Sequence, residues 1–338
     1  MRDVAKKANV SIATVSRVIN GDGYASLESR RRVMHAADEL GYKLDARARS
    51  LKLDRTNTVG LMIPDITNPF YSDLANGVLT CAKALGYHVI LSATDEDAGI
   101  EREYLDLLME NRVDGILAVP TGKNIEQWGE AITLGTQIVL LDRKLTGLSD
   151  VDVVLVDNVK GAYEATKYLL DLGHQRIGIL CGPLSTTTGK DRLAGYRRAH
   201  QDSERPIDDE LIYIGTFKRE SGYQGAQKLL SMINPPTAIF AANNVLGEAT
   251  MFAAREQGKR IPDDFSLVLF DDVPWASLTN PQLCAVAQPT YTIGFVGMQR
   301  LAERLQVSSN EEAEARETIL QPELIVRRSC APPVRPRN

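Results

Sequence analysis

Beyond residue 57, short apolar runs alternate with longer stretches whose apolar residues recur at helical spacing. The apolar runs cover residues 59–63, 88–91, 115–119, 137–141, 153–156, 176–180, 211–214, 238–241, 267–270 and 284–287. Runs of this length between helical patterns predict buried parallel strands in βαβ units. Because ten strands exceed one such sheet, we predict an α/β body of two doubly wound parallel-sheet subdomains.

The first fifty residues have a different pattern, in which three short amphipathic helices follow one another. Val4, Ala5 and Ala8 form the apolar side of the first helix. Ser11 is a good N-cap for the second helix, and a third helix begins near Ser26. This order is typical of an all-α helix-turn-helix domain, which inserts its second helix into the major groove of DNA.

The second predicted helix turns small and polar side chains away from the core. Arg17 can donate two hydrogen bonds to guanine, while Ile12 and Ala13 offer apolar contact to thymine methyl groups. The residues expected to bind phosphates and fix the docking register are Thr14, Ser16, Asn20 and Ser29. The alternative is a three-helix cap with a purely structural role.

Charge is divided unevenly between these two parts of the 338-residue chain. Residues 1–55 carry twelve Lys and Arg against seven Asp and Glu, whereas the other residues carry 27 against 37. A basic segment joined to an acidic body indicates that only the first part meets phosphates. Since no apolar run approaches the roughly 20 residues of a membrane span and the chain starts without a secretory pattern, we expect a cytoplasmic protein with no membrane partner.

Polar and aromatic residues collect after the predicted strands, where ligands bind in open α/β sheets. Carboxylates accept hydrogen bonds from sugar hydroxyls, guanidinium groups donate to them, and aromatic rings cover the C–H faces of a sugar. The candidate effector-binding residues are Asn68, Phe70, Tyr71, Asp142, Arg143, Arg192, Phe217, Asn243, Asp271 and Gln288. Taken singly, such residues commonly cap helices or fill the core. Their recurrence at seven strand ends predicts a pocket for a small polyol or monosaccharide.

Three other classes of protein fit the sequence less well. Residues 182–190 superficially resemble a phosphate-binding loop, but six residues separate the glycines where four are required. The cysteines and histidines have no metal-ligand spacing, so we expect neither an enzyme nor a cofactor. A secreted sugar-binding protein would need an export signal in place of the helix-turn-helix. A DNA-binding protein with a purely structural body would have no use for hydroxyl-binding groups around a cleft.

Long motifs in both parts resemble the LacI (lac repressor) family of transcription regulators. The first part carries VAKKANVSIATVSRVIN, ELGY and ARARSLK, and the body carries IPDITNPFY, GHQRIGILCGP and LVLFDD. The resemblance implies that Ile12, Ala13 and Arg17 hold the base-reading positions. It also implies a periplasmic-binding-protein-like fold for the body.

The resemblance further implies a hinge helix over residues 46–52, which folds on DNA as a pair in the minor groove. Leu51 would be the wedge between central base steps, and Arg49 and Lys52 would flank it against phosphates. The family usually has Pro-Asn where this chain has Leu44 and Asp45. Asp45 can still cap the hinge helix, but its charge faces the polyanion, so we expect a weaker hinge contact.

Domain boundaries follow from these assignments. The expected segments are a helix-turn-helix over residues 1–45, a hinge helix and linker over 46–57, an effector-binding and dimerisation domain over 58–330 and a disordered tail over 331–338. The expected subdomains are residues 58–157 with 290–319, and residues 158–289 with 320–330.

The candidate effector set resembles the pocket of ribose-binding proteins of this fold. The expected effector is therefore ribose or a ribose-containing compound, with a hexose or a purine as the alternative. The family further implies a homodimer on a pseudo-palindromic operator. Effector binding would close the two subdomains and lower the affinity for the operator.

Overall fold

The computed structural model describes residues 1–20, 24–41, 56–148, 150–306 and 314–333. The chain divides into two compact units, Met1–Thr56 and Asn57–Asn338. The helices are α1 (Arg2–Ala8), α2 (Ile12–Asn20), α3 (Leu27–Glu39), α4 (Pro69–Leu85), α5 (Ala98–Glu110), α6 (Ile125–Thr133), α7 (Asn158–Asp171), α8 (Thr187–Asp202), α9 (Arg219–Leu230), α10 (Asn244–Glu256) and α11 (Thr290–Gln306). The strands are β1 (Thr58–Ile63), β2 (His88–Ala93), β3 (Gly115–Ala118), β4 (Gln137–Leu141), β5 (Asp152–Val156), β6 (Ile177–Cys181), β7 (Ile212–Ile214), β8 (Ala238–Ala241), β9 (Ser266–Phe270), β10 (Cys284–Ala287), β11 (Glu317–Leu320) and β12 (Glu323–Ile325). Across the described ranges, none of the helices combines the length and apolar character of a membrane span.

The first unit packs α1, α2 and α3 around a small apolar core. Val4, Val15 and Val33 are fully buried there, one from each helix. The Ser11 and Ser26 hydroxyls accept hydrogen bonds from the backbone N–H groups three residues further on, at 3.1 and 3.2 Å. These contacts cap α2 and α3 and confirm the predicted helix starts.

The second unit contains two six-stranded sheets. The first sheet has the order β11-β5-β4-β3-β1-β2, and the second has the order β12-β10-β9-β8-β6-β7. Apolar clusters cover both faces of each sheet. On the first sheet, α4 and α11 cover one face and α5 and α6 cover the other. On the second sheet, α9 and α10 cover one face and α7 and α8 cover the other. The predicted fold class, a helical first part followed by two doubly wound subdomains, is therefore confirmed.

All ten predicted apolar runs form strands, and two further strands join the sheets. The residues of β11 and β12 are exposed or half-buried, so these strands lack the apolar run that the pattern requires. β12 pairs antiparallel with β10, which corrects the expectation of purely parallel sheets. The reason is topological, because β11 runs parallel to β5 and therefore ends at the cleft. The chain enters the second sheet from its cleft edge, so β12 must run away from the cleft.

Two glycines allow α4 and α11 to pack backbone against backbone on the first sheet. A Cβ at Gly77 would overlap the carbonyl oxygen of Tyr291, and a Cβ at Gly294 would overlap that of Leu74. This contact fixes α11, which follows β10 of the second sheet, onto the first sheet. The chain therefore crosses between the sheets after β5, after β10 and after β11.

The chain beyond Arg328 lies along the second sheet. The Ala331 N–H donates to the Ser266 hydroxyl at 3.0 Å, and this hydroxyl donates to the Ala331 carbonyl at 3.1 Å. The prediction of a disordered tail from residue 331 is therefore wrong for residues 331–333, because these bonds continue the contact between Ser329 and Leu267. Residues 334–338 lie outside the described residues.

Candidate effector cleft and DNA-reading helix

The carboxyl ends of both sheets face one cleft, and nine of the ten predicted effector residues meet there. They line a small space of about 10 Å³ together with Thr188. The nine are Asn68, Phe70, Tyr71, Asp142, Arg143, Arg192, Phe217, Asn243 and Asp271. Gln288, the tenth, lines a neighbouring opening and donates from Nε2 to Asp271 Oδ1 at 2.5 Å. The strand-end rule thus brings together residues from both halves of the second unit.

Two asparagines join the subdomains across the cleft. Asn68 Oδ1 accepts from Asn244 Nδ2 at 2.9 Å, and Asn244 Oδ1 accepts from Asn68 Nδ2 at 3.3 Å. Asn68 also caps α4 by accepting from the Phe70 N–H, and Asn243 caps α10 by accepting from the Leu246 N–H. These strand-end asparagines therefore cap helices and also line the cleft, since the caps hold their side chains at this position.

Arg143 is buried and held on several sides. Glu96 binds it with two oxygens: Arg143 Nη2 donates to Oε1 at 2.7 Å and Nη1 donates to Oε2 at 2.8 Å. The Tyr71 hydroxyl accepts from Nη2 at 3.0 Å, and the Pro120 carbonyl accepts from Nη1 at 3.3 Å. Burial disfavours the charged guanidinium, but the Glu96 carboxylate outweighs it and keeps the Arg143 pKa above its usual range.

Arg192 provides the second buried guanidinium. Its Nε donates to Asn158 Oδ1 at 2.8 Å and its Nη1 donates to the Ala242 carbonyl at 2.6 Å. The guanidinium carbon lies 3.8 Å from the ring centroid of Phe270, a cation–π contact. Neutral oxygens and an aromatic face therefore hold Arg192 in place.

Two aspartates complete the polar wall. Asp271 Oδ2 accepts from the Asn244 N–H at 3.2 Å, while its other oxygen binds Gln288. Asp142 Oδ2 lies 3.6 Å from Arg143 Nε, and Asp142 Oδ1 is buried with no hydrogen-bond partner among the described residues. Burial raises the pKa of Asp142 to about 6 and also raises that of Asp271. The free carboxylate oxygen can accept a hydrogen bond from a hydroxyl group of a ligand.

Aromatic rings form the apolar part of the wall. Phe217 lies over Gly182 so closely that any Cβ at that position would overlap the ring. Its centroid is 5.4 Å from the Arg143 guanidinium carbon. The rings of Phe70 and Tyr71 meet edge to face at a centroid distance of 4.9 Å. A flat ring beside carboxylates and guanidinium groups suits a sugar, which has C–H faces and a hydroxyl rim.

A larger space adjoins the small one and shares Asn68, Tyr71 and Phe217 with it. It measures about 480 Å³ and is lined by both subdomains, with Asp95 and Lys218 facing each other across it at 3.1 Å. The small space of about 10 Å³ accommodates at most one water molecule. A sugar ring therefore needs the two subdomains to separate, or the Phe217 and Arg143 side chains to move.

Sequence reasoning missed several residues in and around the cleft, among them Glu96, Asn158, Thr188 and Asn244. Glu96 follows β2, and Asn158 follows β5, so the strand-end rule applied to every strand would have found both. Asn244 is adjacent to a predicted residue. Thr188 lies within the first turn of α8, where no pattern marks the side chain as facing the cleft.

On α2 the structure separates the core face from the predicted DNA-reading face. Val15 and Val18 are buried, whereas Ile12 is 48% exposed and Ala13 and Arg17 are also exposed. The apolar and basic side chains predicted to read bases therefore lie together on the open side of the helix, as direct readout requires.

The residues predicted to bind phosphates are placed less uniformly. Thr14, Ser16 and Ser29 are half-buried, and Asn20 is the last residue of α2. The Thr14 hydroxyl lies 2.9 Å from the Ser11 hydroxyl, and Ser29 accepts from the Ser26 hydroxyl at 2.9 Å. These bonds commit part of the hydrogen-bonding capacity of Thr14 and Ser29 to helix caps. The predicted hinge residues Arg49, Leu51 and Lys52 lie outside the described residues.

Both parts of the chain match families of known proteins. Residues 1–45 match the family described as bacterial regulatory proteins, lacI family. Residues 56–327 match periplasmic binding proteins and the sugar binding domain of the LacI family. The resemblance stated from the sequence motifs is thereby confirmed.

Individual relatives cover nearly the whole chain. The HTH-type transcriptional regulator DegA of Bacillus subtilis is 39% identical over 333 residues, which are 98% of this chain and 97% of DegA. The ribose operon repressor of Haemophilus influenzae is 34% identical over 97% of this chain and 98% of its own length. Among solved structures, the lac repressor dimer bound to operator and the anti-inducer ONPF has a TM-score of 0.82 and 25% identity, covering 97% of this chain and 98% of that chain. The chain therefore belongs to the LacI family and is a DNA-binding transcriptional regulator.

Proposed function

We propose that this regulator is a cytoplasmic repressor that binds a pseudo-palindromic operator as a homodimer and responds to ribose or a ribose-containing compound. The effector would bind between the two sheets of the second unit. The alternative effectors, a hexose or a purine, share the same cleft in this proposal and differ only in the groups that they present to its wall.

One observation carries the effector assignment: nine residues chosen from strand ends line a single small space. The space combines the Phe217 ring, two guanidinium groups and the buried carboxylate of Asp142, one oxygen of which has no hydrogen-bond partner among the described residues. Hydroxyl groups are both donors and acceptors, so they can satisfy groups of both kinds. The name of the Haemophilus influenzae relative, a ribose operon repressor, supports the choice of ribose among sugars.

The DNA assignment is supported by the exposed face of α2. Ile12, Ala13 and Arg17 would contact base edges, and Thr14, Ser16, Asn20 and Ser29 would contact phosphates. In the complex of the related lac repressor, a dimer is bound to operator. A two-fold dimer would place two recognition helices one helical turn apart on a site with matching symmetry.

Effector and operator are coupled in this proposal through the two subdomains. Binding in the cleft would change their separation, and residues 46–52 would transmit the change to the DNA-binding unit. Such coupling typically amounts to about 1–3 kcal/mol, or about 5–150-fold in affinity, and it is reciprocal. Ribose should therefore weaken operator binding by the same factor by which the operator weakens ribose binding.

The test begins by selecting a duplex from a random-sequence library with the purified full-length chain. Affinity for the selected duplex and for random duplex is then measured at fixed salt, with and without ribose, ribonucleosides and hexoses. Arg17→Ala should remove about 1–3 kcal/mol of discrimination between the two duplexes. Asp271→Ala should remove the response to the sugar and leave operator affinity unchanged.

Three outcomes would contradict the proposal. A chain without preference for any duplex sequence would not be a sequence-specific repressor. Full discrimination by Arg17→Ala would refute the base-reading role of this residue. If calorimetry gave no binding of ribose or ribonucleosides but showed binding of a hexose or purine, the ribose assignment would fail while the regulator assignment would stand.

A further inference from the structure

We propose that Glu96 makes the effector cleft select uncharged sugars and reject sugar phosphates. The inference rests on the proposed function, because it concerns the ligand of the same cleft. It assigns a specificity role to a residue that follows β2 and that the sequence motifs did not single out.

Glu96 and its neighbours leave Arg143 no free N–H pair for a phosphate. A phosphate binds arginine best with two parallel N–H···O bonds. The two Nη atoms of Arg143 carry four hydrogens, and four acceptor oxygens lie within hydrogen-bond distance of them: two of Glu96, the Tyr71 hydroxyl and the Pro120 carbonyl. Only Nε has no hydrogen-bond partner among the described residues, and it faces Asp142.

The other cations of the cleft also have acceptors. Arg192 donates from Nε and Nη1 to two neutral oxygens, those of Asn158 and of the Ala242 carbonyl. At the rim Lys218 pairs with Asp95 at 3.1 Å, and Arg219 pairs with Glu248 at 2.9 Å. Among the Lys and Arg residues that line the cleft in the described part of the chain, Arg143, Lys218 and Arg219 are therefore each paired with a carboxylate, which a phosphate group would have to displace to gain that cation as a partner.

Negative charge exceeds positive charge around this part of the cleft. Three carboxylates, those of Glu96, Asp142 and Asp271, surround two guanidinium groups, those of Arg143 and Arg192. Burial raises the pKa values of Asp142 and Asp271, and the Asp271 carboxylate raises that of Asp142 further. A phosphate carries up to two further negative charges into this group, whereas a neutral sugar adds none.

The loop that carries Glu96 is held in an uncommon backbone conformation. Asp95 and Glu96 are consecutive non-glycine residues with φ of 50° and 57°, in the left-handed region. The Asp95 N–H donates to the Pro64 carbonyl at 2.8 Å, and Asp97 caps α5 by accepting from the N–H groups of Gly99 and Ile100. Non-glycine residues in this region are strained and persist where the surroundings fix them, commonly at binding sites. The loop thus orients Glu96 towards Arg143.

The test compares ribose with ribose 5-phosphate by calorimetry on the full-length chain. For the wild type we expect ribose 5-phosphate to bind at least about 100-fold more weakly than ribose. Glu96→Gln should narrow this ratio by at least about tenfold, because it removes a negative charge and frees part of the Arg143 fork. Glu96→Asp, which keeps the carboxylate, should retain most of the discrimination. Glu103→Gln, an exposed change on α5, should leave the ratio unchanged.

The ratio of the two affinities separates specificity from a general loss of the cleft. A variant that merely folds poorly would weaken both ligands together and leave the ratio at its wild-type value. An unchanged ratio in Glu96→Gln, or equal binding of both ligands by the wild type, would overturn the inference. If the wild type bound a hexose and not ribose, the ribose assignment would fail, and the same ratio measured with the hexose and its 6-phosphate would decide this inference independently.

Discussion

The two halves of the cleft are built on equivalent strands but hold their charged groups differently. Asp142 follows β4 and Asp271 follows β9, and each strand is the third in the order of its sheet. Both aspartates have a left-handed backbone, with φ of 60° and 75°. Yet Asp271 is satisfied by Asn244 and Gln288, whereas Asp142 has one oxygen near Arg143 and one oxygen without a partner in the described chain.

The two arginines of the cleft also differ in the groups that hold them. A carboxylate, Glu96, holds Arg143, while two neutral oxygens and the Phe270 ring hold Arg192. The first half of the cleft therefore depends on a balance of buried charges, and the second half depends on neutral hydrogen bonds. Equivalent substitutions in the two halves should therefore change the free energy of unfolding by different amounts and with different pH dependence.

Arg143→Met should have the largest effect on stability. It keeps much of the side-chain volume but leaves the Asp142 and Glu96 carboxylates without their cation. Removing one partner of a buried ion pair typically costs about 3–5 kcal/mol. Urea unfolding of the full-length chain at pH 7.5 measures the change in the free energy of unfolding.

Two further variants make this measurement specific. Arg198→Met, at a position whose side chain is 65% exposed, is the matched control and should change stability little. Adding Glu96→Gln to Arg143→Met should recover part of the loss, since it removes one uncompensated charge. Equal destabilisation by Arg143→Met and Arg198→Met would show that charge balance does not govern the first half of the cleft.

Sequence reasoning located the cleft because strand ends are marked by simple patterns. The end of each of the ten apolar runs can be read from the sequence, and the carboxyl ends of parallel strands lie at the same edge of a sheet. This rule was enough to bring Asp142 and Asp271 together from positions more than a hundred residues apart. Helical periodicity was enough to predict the exposed face of α2, because it separates the core residues Val15 and Val18 from Ile12 and Arg17.

The sequence could not reveal which partner each charged group would have. The Glu96–Arg143 pair joins residues 47 positions apart through a loop whose left-handed backbone follows from tertiary contacts. The strands β11 and β12 were missed because edge strands that are half-exposed need no apolar run. The hydrogen bonds of Ala331 likewise depend on Ser266, which precedes it by 65 positions.

Asp142→Asn should change how stability depends on pH. Burial raises the Asp142 pKa from its ordinary 3.8 to about 6, against the opposing effects of Arg143 and Arg192. Between these values the folded chain binds more protons than the unfolded chain, so ionisation of Asp142 lowers the free energy of unfolding as pH rises. Ionisation of Asp142 lowers the free energy of unfolding by about 3 kcal/mol in total, and asparagine, which does not titrate, abolishes this effect. The variant should therefore gain stability relative to the wild type as pH rises from 4 to 7.

The measurement is the difference between the urea-unfolding free energies of Asp142→Asn and wild type at half-unit pH steps. Groups common to both proteins cancel in this difference. Asp106→Asn, an exposed change on α5, should follow the wild-type profile throughout. A flat difference for Asp142→Asn would mean that Asp142 titrates as an ordinary exposed carboxylate, and the contrast with Asp271 would lose its basis.

Arg192→Met should have the smallest of the three effects. The variant leaves Asn158 Oδ1 and the Ala242 carbonyl without a donor, and an unsatisfied neutral acceptor costs about 1–3 kcal/mol. Methionine still packs on Phe270, so the aromatic contact is partly kept. Arg192 also lowers the pKa of Asp142 and Asp271, and this interaction contributes to the cost wherever those groups are ionised.

Measurement at pH 5 removes most of the interaction between Arg192 and Asp142, because Asp142 is mostly protonated below its raised pKa. At that pH the loss of unfolding free energy in Arg192→Met should approach about 1 kcal/mol, the lower end of the range for an unsatisfied neutral acceptor. Arg143→Met should also lose less stability at pH 5 than at pH 7.5, because Asp142 is mostly protonated at pH 5 and then lacks the charge that Arg143 compensates. The decisive quantity is the difference between the stability losses at pH 5 and at pH 7.5. This difference should be larger for Arg143→Met than for Arg192→Met. The opposite order would mean that Arg192, and not Arg143, carries the charge balance of the cleft.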